Sequence, residues 1–161
     1  MKKTLQSTTK VRFQDADPFN HLNNSKYVDY FINAREDQIL HHYGLDIFEL
    51  AKTTGQSWVV GSNQIAYFKP AYTMEEILIE SELIHYTNHL LIAEMTMWDK
   101  QRKVLKSIIW SKFICYNFHT QKMAEHAPEH MELFAKIAVK KEQSTFEDRT
   151  NAVIMQSKMT N

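Results

Sequence analysis

The sequence is poor in glycine, with three residues, and none belongs to a G-x-G-x-x-G run or a phosphate-cradling loop, so dinucleotide and triphosphate binding have no support in it. Cysteine is scarcer still: Cys115 stands alone, which excludes an internal disulfide and suits a reducing cytoplasm. It lies in an apolar run, where a buried, inert thiol is expected rather than a nucleophile. Net charge is also missing. Nineteen Lys plus Arg balance nineteen Asp plus Glu, so no overall basic field points to nucleic acid or to an anionic membrane, and any anionic ligand is met locally. No apolar stretch nears the roughly 20 residues of a membrane-spanning helix. The segment Met1-Lys2-Lys3-Thr4-Leu5-Gln6 lacks the apolar core of a secretion signal. The expectation is a soluble, cytoplasmic protein with no nucleic-acid or membrane partner, and 161 residues suffice for one domain with its own core.

What the chain does have is periodicity. Thr8 to Gln14 alternates into Val11 and Phe13, the pattern of a short strand. Between Lys26 and Tyr43, the residues Val28, Phe31, Ile32 and Ile39 fall at helical spacing, with Asn24 or Ser25 as N-cap, His41 and His42 in the last turn and Gly44 at C′. The pattern then changes to alternation and predicts strands over 57–68, 77–86, 90–98 and 104–118, joined by connections that suit antiparallel hairpins. Pro128, followed by Met131, Leu133, Phe134, Ile137 and Ala138, predicts a further helix with proline in its first turn. Residues 140–161 are polar without sustained period and are expected to form a poorly ordered tail, leaving 1–139 as the folded domain.

This order makes an α+β layout in which one antiparallel sheet wraps one long helix. The last strand is apolar on both parities, with Val104, Ile108, Trp110, Ile114 and Tyr116 on one and Leu105, Ile109, Phe113 and Cys115 on the other. A helix covers only one face of a sheet, so the second apolar set calls for a partner subunit, most simply in a two-fold dimer.

The most unusual segment precedes the helix. Arg12-Phe13-Gln14-Asp15-Ala16-Asp17, followed by His21-Leu22-Asn23-Asn24-Ser25-Lys26-Tyr27, resembles the start of the 4-hydroxybenzoyl-CoA thioesterase-like hotdog proteins. Lys69-Pro70-Ala71, leading into an alternating strand, matches their pattern as well, and the resemblance spans residues 8–118. It implies the hotdog fold, an antiparallel β-sheet wrapped around a long central α-helix. It also implies that Asp17 is the essential carboxylate and that the backbone N–H of Asn24 or a neighbour polarises the thioester carbonyl. The active site would lie at a subunit interface, in a homodimer or a dimer of dimers. The His-x-Asn-Asn stretch further resembles plant acyl-ACP thioesterases, where His and an Asn two residues before it assist an Asp. Here that position is Phe19, so the set is incomplete, and Phe19 and Asn20 stand where bacterial members more often carry glycine.

A thioester needs a nucleophile, or a base that activates water, and a place for the charge developing on its carbonyl oxygen. A helix N-terminus supplies the second, because its first N–H groups are unpaired and its dipole favours an anion. A carboxylate in the loop feeding that helix lies beside the same point, so Asp17 either attacks to give a mixed anhydride or deprotonates water. The implied activity is hydrolysis of an acyl-CoA or acyl-ACP to acid and thiol, without metal or cofactor. The alternative is a hotdog protein that binds acyl-CoA or acyl-ACP without turnover, which needs an apolar tunnel but no ionised Asp17. A hotdog dehydratase would need a histidine paired with an acid on the central helix, where Glu36 and Asp37 stand without a suitably placed one.

Candidate substrate contacts are Asn23, Tyr27, Phe31 and Lys69. His21 either orients Asp17 or meets substrate, or is an ordinary loop histidine held by backbone. Asp15 reads as a structural turn residue, and Asn23 and Asn24 are good caps whatever their chemistry. Arg35 falls on the apolar stripe, where it snorkels or meets an anion across an interface. His126 and His130 have the spacing of a metal pair but no third ligand, so a solvated face is expected. Lys100, Arg102, Lys103 and Lys106 are either a phosphate-binding group or ordinary hairpin charges, the latter favoured.

Overall fold

The computed structural model describes residues 1–159. Along the chain run β1 (Leu5–Lys10), α1 (Tyr27–Tyr43), α2 (Ile47–Thr54), β2 (Gln56–Tyr67), β3 (Glu76–Tyr86), β4 (Leu90–Asp99), β5 (Leu105–Asn117), β6 (Lys122–Met123), α3 (Pro128–Ile137) and α4 (Phe146–Met159). The sheet has the order β1-β3-β4-β5-β2, all neighbours antiparallel, with β6 beside the end of β5. It curls around α1, whose Tyr27 and Phe31 pack against Ile77, Ile79, Met95, Met97 and Ile109 of the sheet. This is the α+β hotdog arrangement that the periodicity and the resemblance imply.

Local chemistry explains the boundaries. Gly44 ends α1 in the left-handed region (φ 65°), its N–H donating to carbonyls of the last turn. Nothing stands within 4 Å of where its Cβ would be, so Gly44→Ala should cost only backbone strain, about 1 kcal/mol. A lower urea midpoint with unchanged slope checks this. In β2 a bulge between Val60 and Ser62 resets the register against β5. Trp58 and Val60 pair with Cys115 and Phe113, and Asn63, Ile65 and Tyr67 pair with Ser111, Ile109 and Ser107, so all five share one face despite the parity change. Gly61 occupies the bulge, where a Cβ would lie 2.6 Å from Ile114 Cδ1.

Two segments depart from expectation. The first strand lies at Leu5–Lys10 rather than over 8–14, because the chain turns into a 3₁₀ segment at Phe13–Asp15 and leaves Phe13 exposed. Most of the polar stretch after residue 139 is ordered as α4, with residues 160 and 161 outside the described part. Phe146 and Val153 pack with Leu105, Ile108 and Trp98 on the outer face of the sheet. Arg149 Nε and a terminal nitrogen each lie 2.8 Å from the two oxygens of Glu94. Lys141 pairs with Glu82 and lies 3.4 Å from Glu94, and Trp110 Nε1–H donates to Glu94 at 2.8 Å. The outward set of β5, assigned from sequence to a partner subunit, is thus covered in part by the chain's own C-terminal helix.

Candidate active site

The loop between the 3₁₀ turn and α1 is a tightly braced hairpin-like structure. Asp17 N–H donates to the His21 carbonyl at 2.7 Å, Leu22 N–H to the Ala71 carbonyl at 2.7 Å, and Asn23 N–H to the Asp15 carbonyl at 2.9 Å. Asn20 turns the chain in the left-handed region (φ 64°), a conformation that asparagine tolerates and that glycine would otherwise supply. The loop therefore forms without glycine. Asp15 is pinned from α1 by the Tyr30 hydroxyl at 2.7 Å, which also accepts from Arg12 N–H at 2.9 Å, so its role is to hold the loop.

Asp17 Oδ1 accepts the backbone N–H groups of Phe19 at 2.9 Å and His21 at 3.1 Å. Its other carboxylate oxygen has no hydrogen-bond partner among the described residues, and the side chain is partly exposed. His21 thus orients Asp17 through its backbone, while its ring packs edge-on against Tyr72 with centroids 5.2 Å apart. A 3₁₀ turn, Asn24–Lys26, leads into α1 and is capped by Asn23, whose Oδ1 accepts Ser25 N–H at 3.0 Å. That bond occupies the Asn23 carbonyl oxygen and the Ser25 donor. The Asn24 N–H, at the very start of the helical segment, has no backbone acceptor among the described residues.

Behind the loop stand two tyrosines. Tyr27 is buried, its hydroxyl accepting Ala71 N–H at 3.3 Å and its ring edge-on to Tyr67 at 4.9 Å. Burial raises the Tyr27 hydroxyl above its ordinary pKa; the Ala71 bond opposes this, and the nearby Tyr67, Glu75 and Asp17 add to it. The Tyr67 hydroxyl in turn donates to the Asn24 carbonyl at 3.3 Å. The adjoining 69–75 loop is anchored by Lys106, which is buried and reaches the Pro70 carbonyl and Glu75 Oε1, each at 2.9 Å. Lys106 is accordingly a brace and not a free phosphate ligand. Lys100 and Arg102 are likewise committed to Glu76 and Glu80.

Of the other candidates, Lys69 is exposed at the edge of this anchored loop. Phe31 is fully enclosed in the core, so it holds α1 in the sheet rather than lining open space. No group of three or more His, Cys, Asp or Glu side chains suited to a metal ion occurs among the described residues. His126 and His130 belong to an aromatic cluster with Trp58 and Phe134 instead of facing solvent. His126 Nδ1 accepts Trp58 Nε1–H at 3.2 Å, which requires it to be unprotonated.

Burial lowers the His126 pKa, with the Leu90 carbonyl opposing and the neighbouring His130 and His89 reinforcing. A lowered folded-state pKa contributes stability that is complete above the unfolded value, about 6.5, and is lost as pH falls through the folded value. The melting temperature should therefore drop between about pH 7 and pH 5, and His126→Asn should show a smaller drop. Equal acid sensitivity in variant and wild type would remove His126 from this role.

The sequence profile of the thioesterase-like superfamily matches residues 11–135, which include the Asp17 loop, α1 and the sheet from β2 to β5. The chain is 27% identical over 120 residues to the long-chain acyl-CoA thioesterase FadM of Escherichia coli strain K12, covering 73% of this chain and 87% of that protein. Among solved structures it is similar to a DHNA-CoA thioesterase of Staphylococcus aureus, with TM-score 0.76 and 17% identity over 83% of this chain and 90% of the other. It is also similar to the S. aureus protein SAV2348, solved in complex with CoA, with TM-score 0.75 and 16% identity over 89% and 91% of the two chains. With a family match over three-quarters of its length and the hotdog fold around α1, the chain belongs to the thioesterase-like superfamily.

Proposed function

We propose that the chain hydrolyses acyl-CoA thioesters where the loop meets α1, with Asp17 as the catalytic carboxylate and the Asn24 N–H as the principal donor to the developing oxyanion. The observation that carries this is the state of Asp17: one carboxylate oxygen is fixed by two backbone N–H groups and the other has no partner among the described residues, in the same loop that delivers the Asn24 N–H, likewise without an acceptor among them. A carboxylate oriented in this way is ready to attack the thioester carbonyl or to take a proton from water, and a donor at a helix start needs no reorganisation as charge develops. Tyr67 steadies the Asn24 peptide, Tyr27 and the His21 backbone support the loop, and Lys69 and Asn23 stand at its rim for the carrier.

The same reading makes the enzyme a homodimer or a dimer of dimers. β2 is a twelve-residue edge strand whose middle, from Val60 to Gln64, is exposed on the side away from β5, and such an edge is a template for pairing with a second copy. A lone, buried Cys115 fits a cytoplasmic setting, where thiols stay reduced. Thiol release from short, medium, long and aryl acyl-CoAs tests the activity directly: turnover of at least one is expected. Binding without turnover of any would establish the non-catalytic alternative.

A further inference from the structure

The face of α1 beyond the loop borders a second feature. A cavity of about 100 Å³ lies between α1, α2, α3 and the sheet, walled by Ile32, Ile39, Trp58, Leu83 and Phe134 and containing the Arg35 side chain. An apolar cavity of roughly 150 Å³ holds a benzene ring, so this one suits the end of an acyl group rather than a whole long chain. Half-buried Val28, Ile32 and Ile65 pack against the core, and Ile32 also lines the cavity. Arg35 lies eight residues past Tyr27, about 12 Å along the helix axis.

Arg35 is out of place in such a lining. Its only hydrogen bond among the described residues runs from Nη1 to Ser81 Oγ at 3.0 Å. Ser81 is itself bonded to Gln38, which also reaches Ser7 and the Ile79 carbonyl. Glu82, whose charge acts on Arg35, is engaged by Lys141 and Thr4, and the Tyr43 hydroxyl donates to the Lys2 carbonyl. The side chain retains some accessible surface, yet protein surrounds it closely enough that desolvation lowers its pKa to about 10. Five guanidinium N–H donors with one protein acceptor leave a cation without its anion, an arrangement that costs free energy unless something supplies one. Glu36 also borders the cavity, its carboxyl held above the ordinary range by burial and by the neighbouring Asp37.

We propose that Arg35 determines acyl specificity: the cavity receives the far end of the acyl group, and the guanidinium selects an acyl group that ends in a carboxylate. This rests on the acyl-CoA thioesterase reading. A site built around a polar contact rejects the analogue lacking it more strongly than an apolar pocket rejects an extra group, because the buried partner is left unpaired.

The test compares a dicarboxylic acyl-CoA with the monocarboxylic acyl-CoA of equal chain length, using wild type, Arg35→Lys and Arg35→Met. Wild type should favour the carboxylate-ended substrate about tenfold or more in kcat/KM, Arg35→Lys should keep part of that preference, and Arg35→Met should lose or invert it. A wild-type preference for the plain chain, or an unchanged ratio in folded Arg35→Met, overturns the proposal. Calorimetric binding of the free dicarboxylic and monocarboxylic acids to Asp17→Asn, with and without Arg35→Met, gives a readout independent of turnover. Arg35-dependent binding of the dicarboxylate, together with a wild type that cleaves no thioester, would sink the hydrolase reading and keep Arg35 as the carboxylate contact of the cavity. Turnover with no Arg35-dependent preference would do the reverse.

Discussion

Asp17→Asn is expected to lower kcat/KM on every acyl-CoA that the wild type cleaves by about two orders of magnitude or more, while leaving the melting temperature within a few degrees. The substitution is nearly isosteric, and the amide oxygen can still accept the Phe19 and His21 N–H groups that fix Oδ1. The loop should therefore keep its shape, as should the exposure of the Asn24 N–H. What disappears is the charge on the free oxygen, which both chemical routes require. If Asp17 deprotonates water, the loss of general-base assistance is on the order of 10²- to 10⁴-fold. If it attacks the carbonyl, an amide cannot replace it and the loss is at least as large. Asp17→Ala removes the two backbone bonds as well, so a lower melting temperature in Ala but not in Asn separates the structural duty from the chemical one. Full activity in Asp17→Asn would reduce Asp17 to a turn residue.

The largest stability effect is expected at the far side of the sheet. Arg149→Met should destabilise the fold by about 3–5 kcal/mol, toward the lower end because Lys141 still lies 3.4 Å from Glu94. Glu94 is only 4% exposed, and removing its two-pronged partner leaves a buried carboxylate with the Trp110 N–H and one distant ammonium. For a chain of this size the melting temperature should fall by roughly 10 °C. Arg149→Met with Glu94→Gln should recover part of the loss, since the double change removes the uncompensated charge along with the pair.

The pair also sets an acid limit. Burial pushes the Glu94 carboxyl upward, but hydrogen bonds from Arg149 and Trp110 and the charges of Lys141 and Arg149 outweigh it, so its pKa is lowered overall. Its contribution is therefore present above the ordinary glutamate value, about 4.3, and is lost as pH falls through the lowered one. Equal stability of wild type and Arg149→Met near neutral pH would contradict this assignment for α4.

The parts of the molecule that were legible in the sequence are those whose signals are local. Alternation located β2 to β5, and the Gly44 cap ended α1 at the residue expected. The Asp17 loop was legible because its residue types and spacing resemble a known motif. Its conformation was not, since the left-handed turn rests on Asn20 where a glycine is usual. α2 carried readable punctuation, Asp46 accepting the Phe48 and Glu49 N–H groups and Gly55 closing the end, but eight residues give too little periodicity to stand out. α4 was hidden for a different reason: Phe146, Val153 and the Arg149 pair with Glu94 are among the contacts that hold it, and they do not make an apolar stripe. Lys106 and Arg35 read as ordinary charges until the fold buries one against Glu75 and sets the other in an apolar cavity.

The most direct measurement of the central claim is the crystal structure of Asp17→Asn with a ketone analogue of an acyl-CoA, in which a methylene replaces the thioester sulfur. The carbonyl oxygen is expected within about 2.7–3.1 Å of the Asn24 nitrogen, with its carbon facing residue 17. A ligand whose carbonyl lies away from the start of α1, with residue 17 untouched, would contradict both the catalytic assignment of Asp17 and the site itself.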